Sequence, residues 1–342
     1  MIQRSFQYSL TLRQKINLFE KYKSLPLVLN YNFPKPSSNP LLSVVIVQKN
    51  GLQYLPETLA TIHMQDFKDY ELIVVDGAST DGSKEYLEGI SNIQLISELD
   101  NGMDEGFLKG LSLAKGKYVT HCCVSDGYLD SMWFSKAIAK LESDKTLSLV
   151  WGFPRTLDAE GFLREVSYPH FHLLKPFHKI DYFAFWLVSG MHFPEGNYVV
   201  ALPVMRKCFP ERPNAGLKYS SLKYDPWLQF VANFHSFGFL SSSIDRVANY
   251  GRLHPFSVSH SDQLDEKIQR LKSEYQIEIS KLRKSVEADG FRFFDRSFSE
   301  IEGRSSSYLT FAMFKVRLLL LPVRLFRQIG KLVSIDSNKS QK

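Results

Sequence analysis

The sequence predicts an α/β fold: a doubly wound, mostly parallel sheet flanked by helices, with a C-terminal helical extension. Three observations predict it. Between residues 41 and 124, short β-branched apolar runs alternate with segments of helical spacing across short polar loops. Those runs lack the polar alternation of half-exposed strands, as expected where both faces are covered. With 44% hydrophobic and 23% charged side chains, the 342 residues can bury a substantial core and do not read as a disordered chain.

The elements follow in order. Residues 1–40 are a polar and aromatic lead-in ending in the breaker "NFPKPSSNP". "LLSVVIV" (41–47) is the first strand. "YLPETLATIHMQ" (54–65) spaces Leu55, Leu59, Ile62 and Met64 for a helix whose first turn tolerates Pro56. "ELIVV" (71–75) is the second strand, "SKEYLEGI" a short helix and "IQLIS" the third strand. "GMDEGFLKGLSLA" is a helix with Gly102, Gly106 and Gly110 four apart, a spacing that permits close packing, and "KYVTHCCV" (117–124) is the fourth strand. Beyond about residue 150 the periodicity loosens. A helix is expected over 220–236 and a long charge-alternating helix over 262–288. The chain therefore divides into a lead-in (1–40), a ligand-binding half (41–130), a second half (131–260) and a helical extension (261–342).

The net charge of +6 favours an anionic partner. The basic residues gather near the C-terminus and no nucleic-acid module is recognisable, so nucleic acid is not the expected partner. In "FKVRLLLLPVRLFRQIGKLV" (314–333), Arg317, Arg324, Arg327 and Lys331 fall on one arc at roughly 100° per residue. Leu318, Leu319, Leu325, Phe326, Ile329 and Val333 cover the other side. An amphipathic basic helix over about 309–333 suits an anionic membrane surface, and equally a helix closing the core. Three cysteines without metal-ligand spacing, and a lead-in without a secretory apolar segment, point to a reduced, cytoplasmic compartment. The basic helix, in its membrane reading, would place the chain peripherally on the inner membrane face.

Acidic residues stand just after three strands: Asp76 with Asp81, Asp100, and Asp126. Parallel sheets bind ligands beyond the carboxyl ends of their strands. A carboxylate there accepts from a ribose diol or a base edge, and a diphosphate calls for a metal or cationic partner. Turn chemistry alone also favours Asp in such loops.

The pieces "SVVIVQKN", "LPETLATIHMQDFKDYELIVVDGASTDGS", "SELDNG" with "KGLSLAKGKYV", and "VSDG" come in one order. Over residues 42–128 they resemble the family 2 glycosyltransferases, whose nucleotide-sugar-binding fold is called GT-A. The resemblance implies that Asp76 contacts the uracil or ribose, with Asn50 and the Gln48 backbone lining the same cleft. It implies Asp100 near the ribose or donor sugar, with Lys109 nearby, and Asp126 in the metal-binding motif for a Mg²⁺ or Mn²⁺ ion. Gly127 stands where the family commonly carries a second aspartate, and Asp130 substitutes only if its loop folds back. Glu105 and Leu108 stand where the family often has Asp and Asn.

Further along, "LKYSSLKYDPWLQF" (217–230) resembles the segment with the catalytic base, which makes Asp225 the candidate, although Lys223 occupies the more usual position. "NYGRLHPFSVSH" (249–260) resembles a late element near the donor diphosphate, implying Arg252 and His254 as its partners. "MHFPEGNYVVALPVMRK" (191–207) resembles an acceptor-side strand with Glu195 facing the cleft. The expected function is sugar transfer from a UDP- or GDP-type nucleotide-sugar donor to a saccharide or lipid-linked acceptor, inverting, in cell-surface polysaccharide synthesis. The alternative is a catalytically impaired module that binds nucleotide sugar or a partner enzyme.

Overall fold

The computed structural model describes residues 31–162, 179–189, 193, 196, 198–210, 226–254, 277, 280–281, 284 and 310–321. Four strands and three helices alternate as the sequence predicts: β1 (Leu42–Gln48), α1 (Leu55–His63), β2 (Tyr70–Asp76), α2 (Ser83–Glu88), β3 (Ile93–Ser97), α3 (Met103–Leu113) and β4 (Tyr118–Cys123). Every residue of β1 and β2 is buried, which explains their unbroken apolar runs. Then come β5 (Gly127–Tyr128), α4 (Trp133–Ser143), β6 (Leu147–Leu157), α5 (Lys179–Ser189), β7 (Tyr198–Ala201), α6 (Leu202–Cys208), α7 (Pro226–Ser236) and β8 (Leu240–Arg252).

One eight-stranded sheet runs β3-β2-β1-β4-β7-β6-β8-β5. The pairs β1–β2, β1–β4, β2–β3 and β6–β8 are parallel. Pairs β4–β7, β6–β7 and β5–β8 are antiparallel, so β7 turns the sheet's direction at its middle. Strands β4 and β5 are separated by three strands in that order, but by only Val124–Asp126 along the chain. Four residues span at most about 14 Å, whereas four flat strand spacings need about 19 Å. The sheet must therefore curl, and the curl brings the end of β8 over the loop after β4.

The glycines of α3 set how closely it lies on the sheet. A Cβ at Gly106 would stand 2.7 Å from Val47 Cγ1, and one at Gly110 would stand 2.5 Å from Val45 Cγ1. The spacing predicted close packing at all three glycines, and it holds at these two; Gly102 has open space around it but sits at φ +116°, a conformation glycine tolerates. Helix α4 buries Trp133, Phe134, Ala137, Ile138 and Leu141. A single main core runs from Tyr31 through both halves to Leu320.

Cys122, Cys123 and Cys208 are free thiols. Among the described residues, no helix is long and apolar enough to cross a membrane. The expected helix over 262–288 lies outside the described residues apart from Ile277, Ser280, Lys281 and Lys284. Of the 309–333 helix, residues 310–321 are described and helical.

Candidate active site

Two charged clusters occupy the edge where β1, β2, β3 and β4 end. The first is built by sheet register. Gln48 of β1 pairs with Asp76 of β2, and Asp76 with Ser97 of β3. Their side chains meet at the strand tips: Gln48 Nε2 donates to Asp76 Oδ1, and Ser97 Oγ donates to Oδ2 at 2.7 Å. The next loop folds back on the same carboxylate, with Ser79 Oγ 2.5 Å from Oδ1 and Ser79 N 3.1 Å from Oδ2. Asp76 is fully buried. Its carboxylate organises the strand tips and holds the loop beyond them.

Asn50 belongs to that loop surface. It is exposed, at φ 51°, a left-handed conformation that Asn adopts more readily than most residues. Its Oδ1 accepts from Thr80 N at 2.8 Å while its own N–H donates to Ser79 Oγ at 2.7 Å. Asp81 accepts from Leu52 N at 2.9 Å and from Ser83 Oγ at 2.6 Å. Burial opposes ionisation of Asp81, but the bonds from Ser83 and Leu52 win and hold its pKa below the ordinary value.

Asp100 joins this cluster from the loop after β3. Its carboxylate lies against backbone that only glycine allows: a Cβ at Gly77 would be 3.0 Å from Oδ2, and one at Gly106 would be 3.2 Å away. Oδ1 accepts from Gly102 N at 3.0 Å. Lys109 steadies the same loop through Leu99 O at 2.8 Å, with Glu98 and Glu105 at 3.0 and 3.3 Å. Gln48, Asn50, Asp76, Asp100 and Lys109 are thus brought together.

The second cluster gathers Asp126, Arg252 and His254. Asp126 is half-buried; its Oδ1 accepts from Arg252 N at 3.1 Å. Burial pushes its pKa up to about 7, against the opposing Arg252 N–H and charge. The Arg252 guanidinium does not face solvent. It is 2% exposed, Nη2 lies 2.5 Å from Glu57 Oε1, and the plane sits 5.2 Å from the Tyr54 ring. Tyr250 Oη donates to the same Glu57 oxygen at 2.6 Å. His254 Nε2 lies 3.2 Å from Ser125 Oγ, and its ring is 4.8 Å from that of Tyr54. Ser125 is itself held at φ 80°, a strained conformation for a side-chain-bearing residue.

Sequence reasoning missed Ser79, Ser97, Glu57, Tyr54 and Tyr250. Ser97 could have been found by aligning strand tips. Glu57 looked like an ordinary acid in a helix's first turn. Asp130 is committed elsewhere: Lys136 Nζ lies 2.7 Å from Oδ2, and Met132 N donates to Oδ1. Asp225, Lys223 and Glu195 lie outside the described residues.

For a divalent cation, the available donor is Asp126 Oδ2, since Oδ1 is taken. A second carboxylate at 127 has no room, because a Cβ there would stand 2.6 Å from Tyr250 Oη and 2.8 Å from Thr61 Oγ1. Among the described residues no group of three or more His, Cys, Asp or Glu side chains could hold a metal ion, so an ion here would need substrate phosphates and water besides this one carboxylate, as Mg²⁺ commonly does.

Carboxylates and a glycine-cradled loop thus stand beyond the carboxyl ends of parallel strands, the place where such sheets bind ligands. Residues 43–194, under half of the chain, match the family described as Glycosyl transferase family 2, so this part of the chain is similar to the family 2 glycosyltransferases. An uncharacterized glycosyltransferase of Haemophilus influenzae is 29% identical over 119 residues, 33% of this chain and 36% of that protein. A PGL/p-HBAD biosynthesis glycosyltransferase of Mycobacterium bovis is 28% identical over 122 residues, 33% of this chain and 46% of that protein. The chain thus spans less than half the length of these curated relatives. Among solved structures, the mannosyltransferase PcManGT from Pyrobaculum calidifontis, in complex with GDP-Man and Mn²⁺, is similar at a TM-score of 0.49 and 14% identity, over 94% of this chain and 87% of that one.

Proposed function

We propose that this chain is a glycosyltransferase that moves a sugar from a UDP- or GDP-type donor to a saccharide or lipid-linked acceptor, with inversion, in cell-surface polysaccharide synthesis. The observation that carries the reading is the Asp76 cluster: one buried carboxylate holds three strand tips and a loop at the ligand-binding end of a parallel sheet. In this reading Asn50 and the loop 77–81 take the nucleoside, and Asp100 with Lys109 shapes the sugar side. Asp126 Oδ2 would hold a divalent cation, which when bound supplies charge compensation to the departing diphosphate.

The transfer itself is a displacement. The acceptor hydroxyl oxygen bonds to the anomeric carbon, its proton passes to a carboxylate, and the bond to the diphosphate breaks with the electron pair leaving on the nucleoside diphosphate. Asp225 is the proposed base. An anionic membrane surface on the cytoplasmic side is the proposed setting for the acceptor.

Two observations favour a second reading, a domain that binds nucleotide sugar without transfer. Arg252 is spent on Glu57, and position 127 has no room for a carboxylate. Calorimetric titration with UDP and GDP, each with Mn²⁺ and again with EDTA, tests the donor site. Cation-dependent binding of one nucleotide supports the first reading, and binding of neither overturns both. Asp225→Asn separates them: transfer lost with binding intact supports a catalytic base, and a native chain that binds yet never transfers supports the second.

A further inference from the structure

The helix over residues 310–321 is apolar on two sides. Ala312, Met313, Val316 and Leu320 are buried and join the main core. Lys315 Nζ, 2.8 Å from Asp181 Oδ2, ties the same helix to α5. On the other side Phe311, Phe314, Leu318 and Leu321 are exposed, Phe311 by 62% and Phe314 by 57%. At roughly 100° per residue these four share an arc of about 80°. Five of the twelve large apolar side chains exposed among the described residues lie on this one helix, counting Leu319. That is a stripe, and not the isolated exposed residues any surface carries.

Charge says what covers it. Arg317 stands at one edge of the stripe, Lys315 at the other edge is held by Asp181, and the sequence onward adds Arg324, Arg327 and Lys331 with no acidic residue between 310 and 333. A second copy of this chain would bring the same cations against themselves across a twofold contact. An anionic surface takes both features at once.

We infer that this stripe docks on an anionic lipid bilayer. Phe311, Phe314, Leu318 and Leu321 enter the headgroup boundary, and the net positive charge of the 317–331 segment favours the lipid anions. The buried face pins the helix to the core, so the helix lies flat in the interface. This deepens the membrane part of the reading above and uses none of its donor-binding residues.

The test is sedimentation of the full chain with phosphatidylcholine vesicles, with and without phosphatidylglycerol, alongside the UDP titration. Binding to the phosphatidylglycerol vesicles, weakened by salt, is expected. Phe314→Glu with Leu318→Glu should lower that partitioning by at least about tenfold, with thermal unfolding and UDP affinity unchanged. No binding by the native chain, or equal binding by the variant, overturns the inference. So does a concentration-dependent dimer that the variant dissolves while neither chain binds vesicles. A chain that binds vesicles and no nucleotide supports this surface and overturns the donor reading alone.

Discussion

The two charged clusters share one sheet edge but are made in different ways. Around Asp76 the partners come from neighbouring strand tips and the next loop, within 28 positions of the aspartate. Parallel register alone delivers them, because Gln48, Asp76 and Ser97 stand opposite one another. Around Arg252 the partners lie far off in sequence: Asp126 by 126 positions and Glu57 by 195. That cluster exists only once the sheet has curled and β8 has returned. One cluster is therefore a property of local strand pairing, the other of complete folding.

The sharpest break of that comparison is Arg252→Ala. It leaves the half-buried Glu57 with the Tyr250 hydroxyl, and stranding one member of a buried pair costs about 3–5 kcal/mol, the lower end applying where one partner is partly exposed. Denaturant unfolding reads it. A loss under about 1 kcal/mol, the range of exposed pairs, would mean that Glu57 does not hold the guanidinium in solution and that Arg252 is available to a diphosphate. Asp76→Ala comes next. It removes the acceptor for Gln48, Ser79 and Ser97, and a buried donor left unmet costs about 1–3 kcal/mol. We expect a loss of about 3 kcal/mol, with UDP binding abolished because the loop 77–81 loses its anchor. Retained UDP affinity would separate Asp76 from the donor site.

The same difference decides what could be read from the sequence. The strands β1 to β4, the Pro56 helix start and the close seat of α3 were legible, since each rests on local pattern: unbroken apolar runs, a tolerated proline, glycines four apart. Strands β6 and β8 were not. Their pairing carries register shifts between Leu147/Leu149 and Trp151/Phe153 that spoil any alternation. Strand β8 also opens on Ser241, Ser242 and Ser243, which read as loop. Asp126 stands just past β4, where the sequence places it, but its bond to the Arg252 backbone has no local signature. Glu57 illustrates the limit: nothing within a turn of it announces a partner on the last strand.

Gly127 sharpens the second cluster further. Gly127→Ala should destabilise by about 1–3 kcal/mol through overpacking, since the added Cβ would meet Tyr250 Oη at 2.6 Å. Gly127→Asp should cost at least as much and fail to raise Mn²⁺ affinity. A gain in cation affinity would show that the loop yields and that a carboxylate can be accommodated there.

A pH series tests Asp126. Its pKa lies near 7, above the ordinary 3.8, so its contribution to stability is present below 3.8 and is lost as pH rises through 7. The unfolding temperature of the native chain should therefore fall from pH 6 to pH 8 relative to Asp126→Asn. Cation-dependent UDP binding runs the other way, because the cation needs the ionised carboxylate: affinity rises by up to about tenfold per pH unit below 7 and then levels. The Asn variant, which shares the nucleotide's own titration, should lose that component. Affinity that falls as pH passes 7 would assign the diphosphate to a cation-free site.

Lys109→Met gives the smallest effect and isolates the exposed end of the first cluster. Lys109 bridges Leu99 O, Glu98 and Glu105 across the loop that carries Asp100. Those partners are well exposed, and ion pairs in such places are screened and contribute little to stability. The unfolding temperature should hardly move. The loop is another matter, because Asp100 is positioned by Gly77, Gly106 and Gly102 on one side and by this lysine bridge on the other. Loosening the bridge should weaken nucleotide-sugar binding by about two- to fivefold, the size expected of an exposed polar contact, and leave UDP binding nearly unchanged. Equal weakening of both ligands would move Lys109 from the sugar side of the cleft to the nucleotide side. A large fall in unfolding temperature would make it part of the fold, like Asp76, and erase the distinction between the buried tips of the strands and the loop they support.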